Sequence, residues 1–232
     1  MRDLQVYLND LRKSLCREID VGGLFTRNPV AHKWKAPWRM LLLREAASWR
    51  LCELVQQSLD LSRSGGTLGA RILLRAAFET LAVLIYSSQS MRGVVARGLD
   101  FHTFSSKTSQ LLRGSRDKST PFDSINILTV LKSADKRYAG LESWYATLSE
   151  TAHPNFEGML HGYSTADPKD YVTRFESRWS DLHGAHHEAA LEACLVVFDA
   201  EYNHEWPAAF EALEHWIEGN DTELEASKPR DA

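Results

Sequence analysis

The stretch YATLSETAHP carries three polar side chains with reactive groups at four-residue spacing: Tyr145, Ser149 and His153. In a helix of 3.6 residues per turn, these side chains project from one face. Pro154 disfavours helical backbone at the residue before it, so we expect the helix to end at or just before His153. There the negative end of the helix dipole favours the protonated imidazole. Such a histidine can donate a proton, accept one, or hold a phosphate or carboxylate.

A second polar group interrupts the most apolar stretch of the chain, LGARILLRAAFETLAVLIYSS. Arg71, Arg75 and Glu79 lie within about 80° of one another on a helix, and the rest of its surface is almost entirely apolar. We therefore expect this helix in the middle of the fold. Its charged stripe needs a cleft or partners, because an unpaired buried charge costs several kcal/mol. Arg75 and Glu79 can pair with each other at i,i+4.

The helix that ends at His153 is the candidate for the other wall of that cleft. Leu141, Trp144 and Leu148 form an apolar stripe that we expect to dock it against the core. The predicted pocket then has three catalytic candidates and three binding candidates: Arg75, Glu79 and His153, and Arg71, Tyr145 and Ser149. Two alternatives to a functional pocket stay open. The helix with Arg71, Arg75 and Glu79 can carry a structural ion-pair network, and the helix that ends at His153 can present a solvated face.

The R-x3-E pattern of Arg75 and Glu79, followed by the Y-x3-S-x3-H-P pattern, resembles a family of uncharacterised bacterial helical proteins. These form a domain of unknown function with kinship to HEPN-type helical domains. The resemblance spans about residues 40 to 165. It implies an α-helical bundle in which the Arg, Glu and His positions line one pocket.

HEPN domains commonly carry an arginine followed after four to six residues by a histidine, which act as ribonuclease groups across a dimer. The chain has three R-x4-H matches, and this number is close to chance for its arginine and histidine content. Of the three, Arg178 and His183 lie near a predicted helix start, where such a pair would be useful. The other two are Arg27 with His32 and Arg97 with His102.

Other reactive patterns are weaker. His183 and His187 at i,i+4 could chelate zinc, but no third ligand is identifiable and HExxH is absent, so no metal or other cofactor is predicted. Ser149 does not lie in a GxSxG nucleophile elbow, so a hydrolase triad is rejected.

The composition restricts the class of protein. Of the 232 residues, 44% are hydrophobic, and Lys+Arg 27 against Asp+Glu 31 give a net charge of -4, so no global basic field recruits nucleic acid. Three widely spaced cysteines without CxxC spacing indicate reduced residues and a cytoplasmic location. The N-terminus lacks the continuous apolar centre of a secretory signal, and no charge-free span is long enough for a membrane.

The elements that must position the candidate residues are helices. The periodicity predicts an all-α fold, a single-domain bundle of about seven or eight helices over 1–218, with a polar and frayed tail over 219–232. Residues 24–36 and 154–170 are predicted to be irregular, and 171–177 to be an unpaired strand at most. An apolar helix face is expected to support a homodimer.

Two functions follow from the predicted pocket. The first is a HEPN-like, metal-independent ribonuclease acting on RNA, with a toxin-like or phage-defence role. In this ribonuclease, His153 is the general acid or base and Arg75 stabilises a phosphoryl transition state. Glu79 orients either His153 or Arg75. The second is a non-catalytic module that binds an anionic small molecule or a partner protein through the same groups.

Overall fold

The chain folds into helices almost throughout, in a computed structural model that describes residues 3–229. The all-α prediction is confirmed, but the helix count is wrong, since the described residues form ten α-helices. They are α1 Leu4–Ser14, α2 Val21–Arg27, α3 Pro29–His32, α4 Lys35–Arg63, α5 Thr67–Val95, α6 Phe101–Arg113, α7 Ile127–Asp135, α8 Leu141–Ala152, α9 Ala185–Ala200 and α10 Trp206–Ala226. Three π-helical segments span Phe156–His161, Ser180–Gly184 and Glu201–Glu205, and strands β1 Ser164–Asp167 and β2 Val172–Phe175 complete the set.

The centre of the fold is a hairpin of α4 and α5, each of 29 residues. Gly65 turns the chain between them with a φ of 83°, a backbone conformation that L side chains rarely adopt. Ser58 Oγ donates to the carbonyl oxygen of Ala70 at 2.7 Å, and Arg50 Nε donates to Thr80 Oγ1 at 3.1 Å. The earlier residue of α4, Arg50, contacts the later residue of α5, Thr80, so the two helices are antiparallel.

Helix α5 contacts most of the other helices, as its nearly all-round apolar sequence predicts. Five helices besides α4 pack against it, namely α6, α7, α8, α9 and α10. The buried side chains that they enclose include Leu74, Phe78, Leu81, Leu84 and Ile85. Burial on this scale is the largest favourable contribution to folding, because apolar area removed from water stabilises by about 25 cal/mol per Å².

Two segments differ from the sequence prediction because of local capping and tertiary contacts. Residues 24–36 are not irregular, because Asn28 accepts a hydrogen bond from the Ala31 amide at 2.9 Å and so starts α3. At the other end, α10 does not stop near 218 but continues to Ala226. Leu224 is buried there, and Lys33 pairs with Asp221 at 2.7 Å. Residues 230–232 of the predicted tail lie outside the described residues.

The segment between α8 and α9 is ordered rather than a plain loop. Strands β1 and β2 pair antiparallel, with Ser164 opposite Phe175, so the strand predicted over 171–177 does have a partner. Arg178 anchors the start of this hairpin by donating from Nη1 to the carbonyl oxygens of His161, at 3.0 Å, and Ser164, at 2.7 Å. Arg178 therefore holds the base of the hairpin, where β1 begins, to the π-helical segment that precedes it.

The structure also describes the cysteines and the lengths of the helices. Cys16, Cys52 and Cys194 are all free thiols, and Cys52 and Cys194 are buried. Between residues 3 and 229, no helix combines the length and the apolar character that a membrane span requires.

Candidate functional site

Arg75 on α5 meets the polar face of α8, as the sequence predicts. Its Nε donates to Ser149 Oγ at 2.9 Å, and its Nη2 donates to the hydroxyl of Tyr145. Nη1 lies 3.2 Å from Glu79 Oε1, one helical turn along α5. The Tyr145 hydroxyl in turn donates to Glu79 Oε1 at 3.1 Å. Four of the six predicted side chains therefore form one hydrogen-bonded cluster across the α5–α8 interface.

The position of Arg75 is thus determined by three side chains at once. Each of its guanidinium nitrogens has a partner, and the guanidinium carbon also lies 4.6 Å from the centre of the Tyr145 ring. A charged group held in this way loses little conformational entropy when it binds an anion. The cluster is therefore both a structural link between α5 and α8 and a pre-oriented positive group.

Helix α8 is rotated relative to the prediction. Tyr145 is buried, whereas Trp144, which was expected to dock against the core, is 45% exposed and only stacks on Phe78 at 6.2 Å. Leu141 and Leu148 are buried as expected. The rotation has a physical reason, since the Arg75 charge in a mostly apolar interface needs the hydroxyl groups of Tyr145 and Ser149 turned towards it.

Next to this cluster lies an open groove of about 540 Å³ between α8 and the segment that joins α6 to α7. Arg75, Tyr145 and Ser149 line it, together with Arg116 of the connecting segment. His153 also lines it and is exposed. The α8 helix ends at Ala152 and His153 has extended backbone, as Pro154 predicts.

The charges of the groove are mixed. Arg75 and Arg116 are permanently cationic. Glu142 and Glu150 on α8 also line the groove and limit the net positive potential. Such a groove suits a ligand that carries an anionic group for the arginines and an uncharged part near the two glutamates.

Two of the predicted site residues do not contribute to the groove. Glu79 lines a separate hollow of about 230 Å³ together with Arg50 and Thr80 of the α4–α5 hairpin. Arg71 is buried and donates from Nε to Thr151 Oγ1 at 2.9 Å. It borders a small cavity on the side of α5 that faces α9, where His183 and His187 lie. The prediction of a single pocket does not hold for Arg71, because its side chain is buried towards the cavity between α8 and α9, whereas Arg75 borders the groove.

The three R-x4-H matches have structural contacts that explain them. Arg178 holds the β-hairpin through backbone carbonyls, while His183 borders the cavity beside Arg71. Arg27 and His32 both contact Glu214, at 2.5 and 2.7 Å. In the third match, both side chains also have hydrogen-bond partners, since Arg97 donates to Asn220 and His102 contacts Ser227.

Metal ligation by His183 and His187 lacks further ligands. Over residues 3–229, no cluster of three or more histidine, cysteine, aspartate or glutamate side chains could hold a metal ion. Burial and the Arg71 charge lower the pKa of both histidines to about 4, so both rings are neutral near pH 7. Burial likewise lowers the pKa of Arg71, which stays charged at neutral pH.

Sequence reasoning missed Arg116 and the proximity of His183 and His187 to Arg71. Arg116 lies in the polar stretch GSRDKST, which resembles any surface loop, and only the fold brings it to the groove. The i,i+4 spacing of the two histidines was the available signal, but it pointed to a metal. Comparison of the chain with protein-family models, with curated proteins and with solved structures finds no match.

Proposed function

We propose that this protein is a non-catalytic helical module that binds an anionic small molecule in the groove beside α8. The anionic group of the ligand contacts Arg75 and Arg116, and His153 forms a further contact in the groove. The volume of about 540 Å³ lies within the range of roughly 300–1,000 Å³ that is usual for small-molecule sites.

The observation that carries this proposal is the way in which Arg75 is held. Tyr145, Ser149 and Glu79 fix its guanidinium while it still borders the groove with a quarter of its side chain exposed. Recognition of phosphate or carboxylate groups depends on such fixed, planar donors. A purely structural hydrogen-bonded link between α5 and α8 would not need an adjoining groove with a second arginine.

Binding is favoured over catalysis because of the surroundings of His153. The ring is exposed, and the carboxylate nearest to Arg75, Glu79, lies in a different hollow. A general acid or base usually has a second group that sets its tautomer and orientation. Glu79 instead accepts a hydrogen bond from Tyr145 and pairs with Arg75.

The test is a thermal-stability titration with nucleoside monophosphates, phosphorylated sugars and dicarboxylates. A ligand that binds only the folded state raises Tm, and at about 100 times its Kd it stabilises the protein by about 2.7 kcal/mol. Arg75→Gln should abolish this shift, because it removes the charge beside the groove. Arg63→Gln is the matched control, since Arg63 pairs with Glu188 on the surface, away from the groove.

A metal-independent ribonuclease is the second candidate, and the observation in its favour is that His153 lines the same groove as Arg75. Cleavage of single-stranded RNA in the presence of a chelator, lost with His153→Ala while the helical circular dichroism is kept, would overturn the binding proposal. Failure of every anion to shift Tm would also overturn it.

A further inference from the structure

A second polar site lies on the opposite side of α8 from the groove. It is a cavity of about 60 Å³ over α5, between α8 and α9. Arg71, His183 and His187 border it, and Leu74, Leu148 and Ala190 supply apolar walls. The exposed residues Thr147 and His186 lie at its outer edge, so it opens along the seam between the two helices. The volume corresponds to about four water-sized spheres.

The polar residues of this cavity carry atoms that are buried and have no partner. In the part of the chain that the structure describes, these are Arg71 Nη2, His183 Nε2 and His187 Nδ1. Arg71 is 7% exposed and His187 is 2% exposed. A buried polar atom without a hydrogen bond costs about 1–3 kcal/mol, and more when it is charged. Three such atoms around one cavity therefore indicate a ligand that satisfies them together.

The hydrogen bonds around His187 define which of its ring atoms carries the proton. Ser58 Oγ donates its proton to the carbonyl oxygen of Ala70 at 2.7 Å, so it can only accept from His187 Nε2 at 2.9 Å. Because the low pKa of His187 keeps the ring neutral, Nδ1 has no proton and is an acceptor. The cavity thus presents a cationic donor on Arg71 and an acceptor on His187.

The charges exclude a cation as the ligand. Arg71 is positive, and no acidic side chain within residues 3–229 lies within 4 Å of its guanidinium as an ion-pair partner. Glu157 is the nearest acid that affects Arg71, and its Oε1 lies 3.7 Å from His183 Nε2, too far for a hydrogen bond. A metal would face this guanidinium and would have no carboxylate ligand among the residues that border the cavity.

We infer that the cavity binds a small oxyanion that carries a proton, such as inorganic phosphate or bicarbonate. An unprotonated oxygen of the ligand accepts from Arg71 Nη2, and its O–H group donates to His187 Nδ1. His183 Nε2 contributes a third contact from α9. Sulfate has no proton at neutral pH and cannot donate to His187, so the site discriminates between phosphate and sulfate.

The test uses the full chain labelled with ¹⁵N at pH 7.5, with the histidine ring nitrogens observed by NMR. Phosphate, bicarbonate and sulfate are titrated separately at constant ionic strength. Phosphate or bicarbonate should move the His183 and His187 resonances in a saturable manner, and the arm that saturates at lower concentration identifies the oxyanion that the cavity prefers. Sulfate should leave both histidines unchanged.

Three variants separate this cavity from the groove. Arg71→Gln should weaken binding by about 10-fold to 100-fold, the usual loss for a charged hydrogen bond. Arg116→Gln alters the groove from the segment between α6 and α7, outside the α5–α8 interface, and should leave the His183 and His187 shifts unchanged, so this site is tested independently of the proposed groove. Glu157→Gln removes a competing negative charge and should tighten binding by about 3-fold, which keeps the test informative if Arg71→Gln fails to fold.

Two results would overturn the inference. Equal displacement of the His187 resonances by sulfate and phosphate would contradict the requirement for a proton on the ligand. Absence of any displacement by phosphate and bicarbonate, in both the unaltered protein and Glu157→Gln, would show that the cavity does not bind oxyanions.

Discussion

At the scale of single residues, two arginines one helical turn apart have different surroundings. Arg75 has Tyr145, Ser149 and Glu79 as partners and borders an open groove. Among the residues that the structure describes, Thr151 is the one side chain that accepts a hydrogen bond from Arg71, which borders the small cavity between α8 and α9. The two arginines therefore belong to the two separate anion sites that we propose. The difference arises because α8 lies over one arginine, whereas the other faces both α8 and α9.

Tyr145→Phe tests whether the cluster, rather than the arginine alone, prepares the groove. The substitution keeps the ring but removes the hydroxyl that accepts from Arg75 and donates to Glu79. We expect the free energy of unfolding to fall by about 1–2 kcal/mol, because a buried hydrogen bond to a charged group is lost. Urea unfolding followed by circular dichroism measures this change.

The matched control is Tyr171→Phe, because the Tyr171 side chain is 95% exposed. It should leave the free energy of unfolding unchanged. Anion-induced shifts of Tm should also become smaller in Tyr145→Phe. An unchanged ligand response would mean that Arg75 is positioned by Ser149 and Glu79 without the tyrosine.

At the scale of elements, the end of α8 is held by the π-helical segment Phe156–His161. Gly158 packs so closely on this end that a Cβ atom placed there would lie 1.9 Å from the carbonyl oxygen of His153. Its amide also donates to Asn155 Oδ1 at 2.9 Å. The close approach therefore helps to determine where His153 lies relative to the groove.

Gly158→Ala should consequently destabilise the protein by about 1–3 kcal/mol, the usual cost of a side chain that forces the backbone apart. The control is Gly219→Ala in α10, where nothing lies within 4 Å of the added Cβ. That substitution should stabilise the protein by up to about 1 kcal/mol, since alanine favours a helix over glycine. Thermal unfolding of both variants measures the contrast, and equal effects would contradict the close packing at Gly158.

At the scale of the whole molecule, α5 is shared by both sites and by most of the core. The groove lies on one side of α8 and the cavity on the other, so a change in the packing of α8 on α5 affects both. Coupling between two sites requires an element with two arrangements that both ligands bias. The shared interface is where such an element would be, and binding of phosphate in the presence of the groove ligand measures any coupling.

The stability of the fold should depend on pH through the two buried histidines. Burial is the main reason that the pKa of His183 and His187 falls from 6.5 to about 4, and Arg71 adds to the effect for both. His161 also repels a proton on His183, while Glu188 partly opposes the shift of His187. Glu157 lies 3.7 Å from His183.

The sign follows from the direction of these shifts. Between pH 6.5 and about 4 the unfolded state binds more protons than the folded state, so stability is complete above pH 6.5 and falls with decreasing pH. The slope is at most about 1.4 kcal/mol per pH unit for each histidine. Urea unfolding between pH 7.5 and 5 measures it.

A double variant provides the comparison for this pH dependence. His183→Gln with His187→Gln should flatten the profile above pH 5, whereas His215→Gln should not, because His215 is exposed. An identical slope in the double variant would show that other groups cause the pH dependence.

The predicted homodimer stays a prediction at this scale. Among residues 3–229, large exposed apolar side chains are concentrated between α8 and α9 rather than on one helix face, at Phe156, Met159, Leu160, Tyr171 and Phe175. Exposed apolar clusters of this kind often mark contact surfaces. Sedimentation velocity of the purified chain decides whether it self-associates.

The sequence by itself predicted the all-α class, the central position of α5, the end of α8 at His153 and the pairing of Arg75 with the Tyr145 face. These depend on local periodicity, on the backbone restriction before Pro154, and on the need of a buried charge for partners. Each of these causes acts within a few residues or on one helix face. For the same reason they can be inferred from the chain without coordinates.

Only the tertiary structure decided how the candidates are divided between sites. The rotation of α8 turned Trp144 outwards, the path of the chain after α6 brought Arg116 to the groove, and the packing of α9 placed His183 and His187 beside Arg71. These arrangements depend on how distant helices pack together, which periodicity within one helix does not encode. The continuation of α10 to Ala226 has the same origin, because Lys33 from α3's C-terminal end pairs with Asp221.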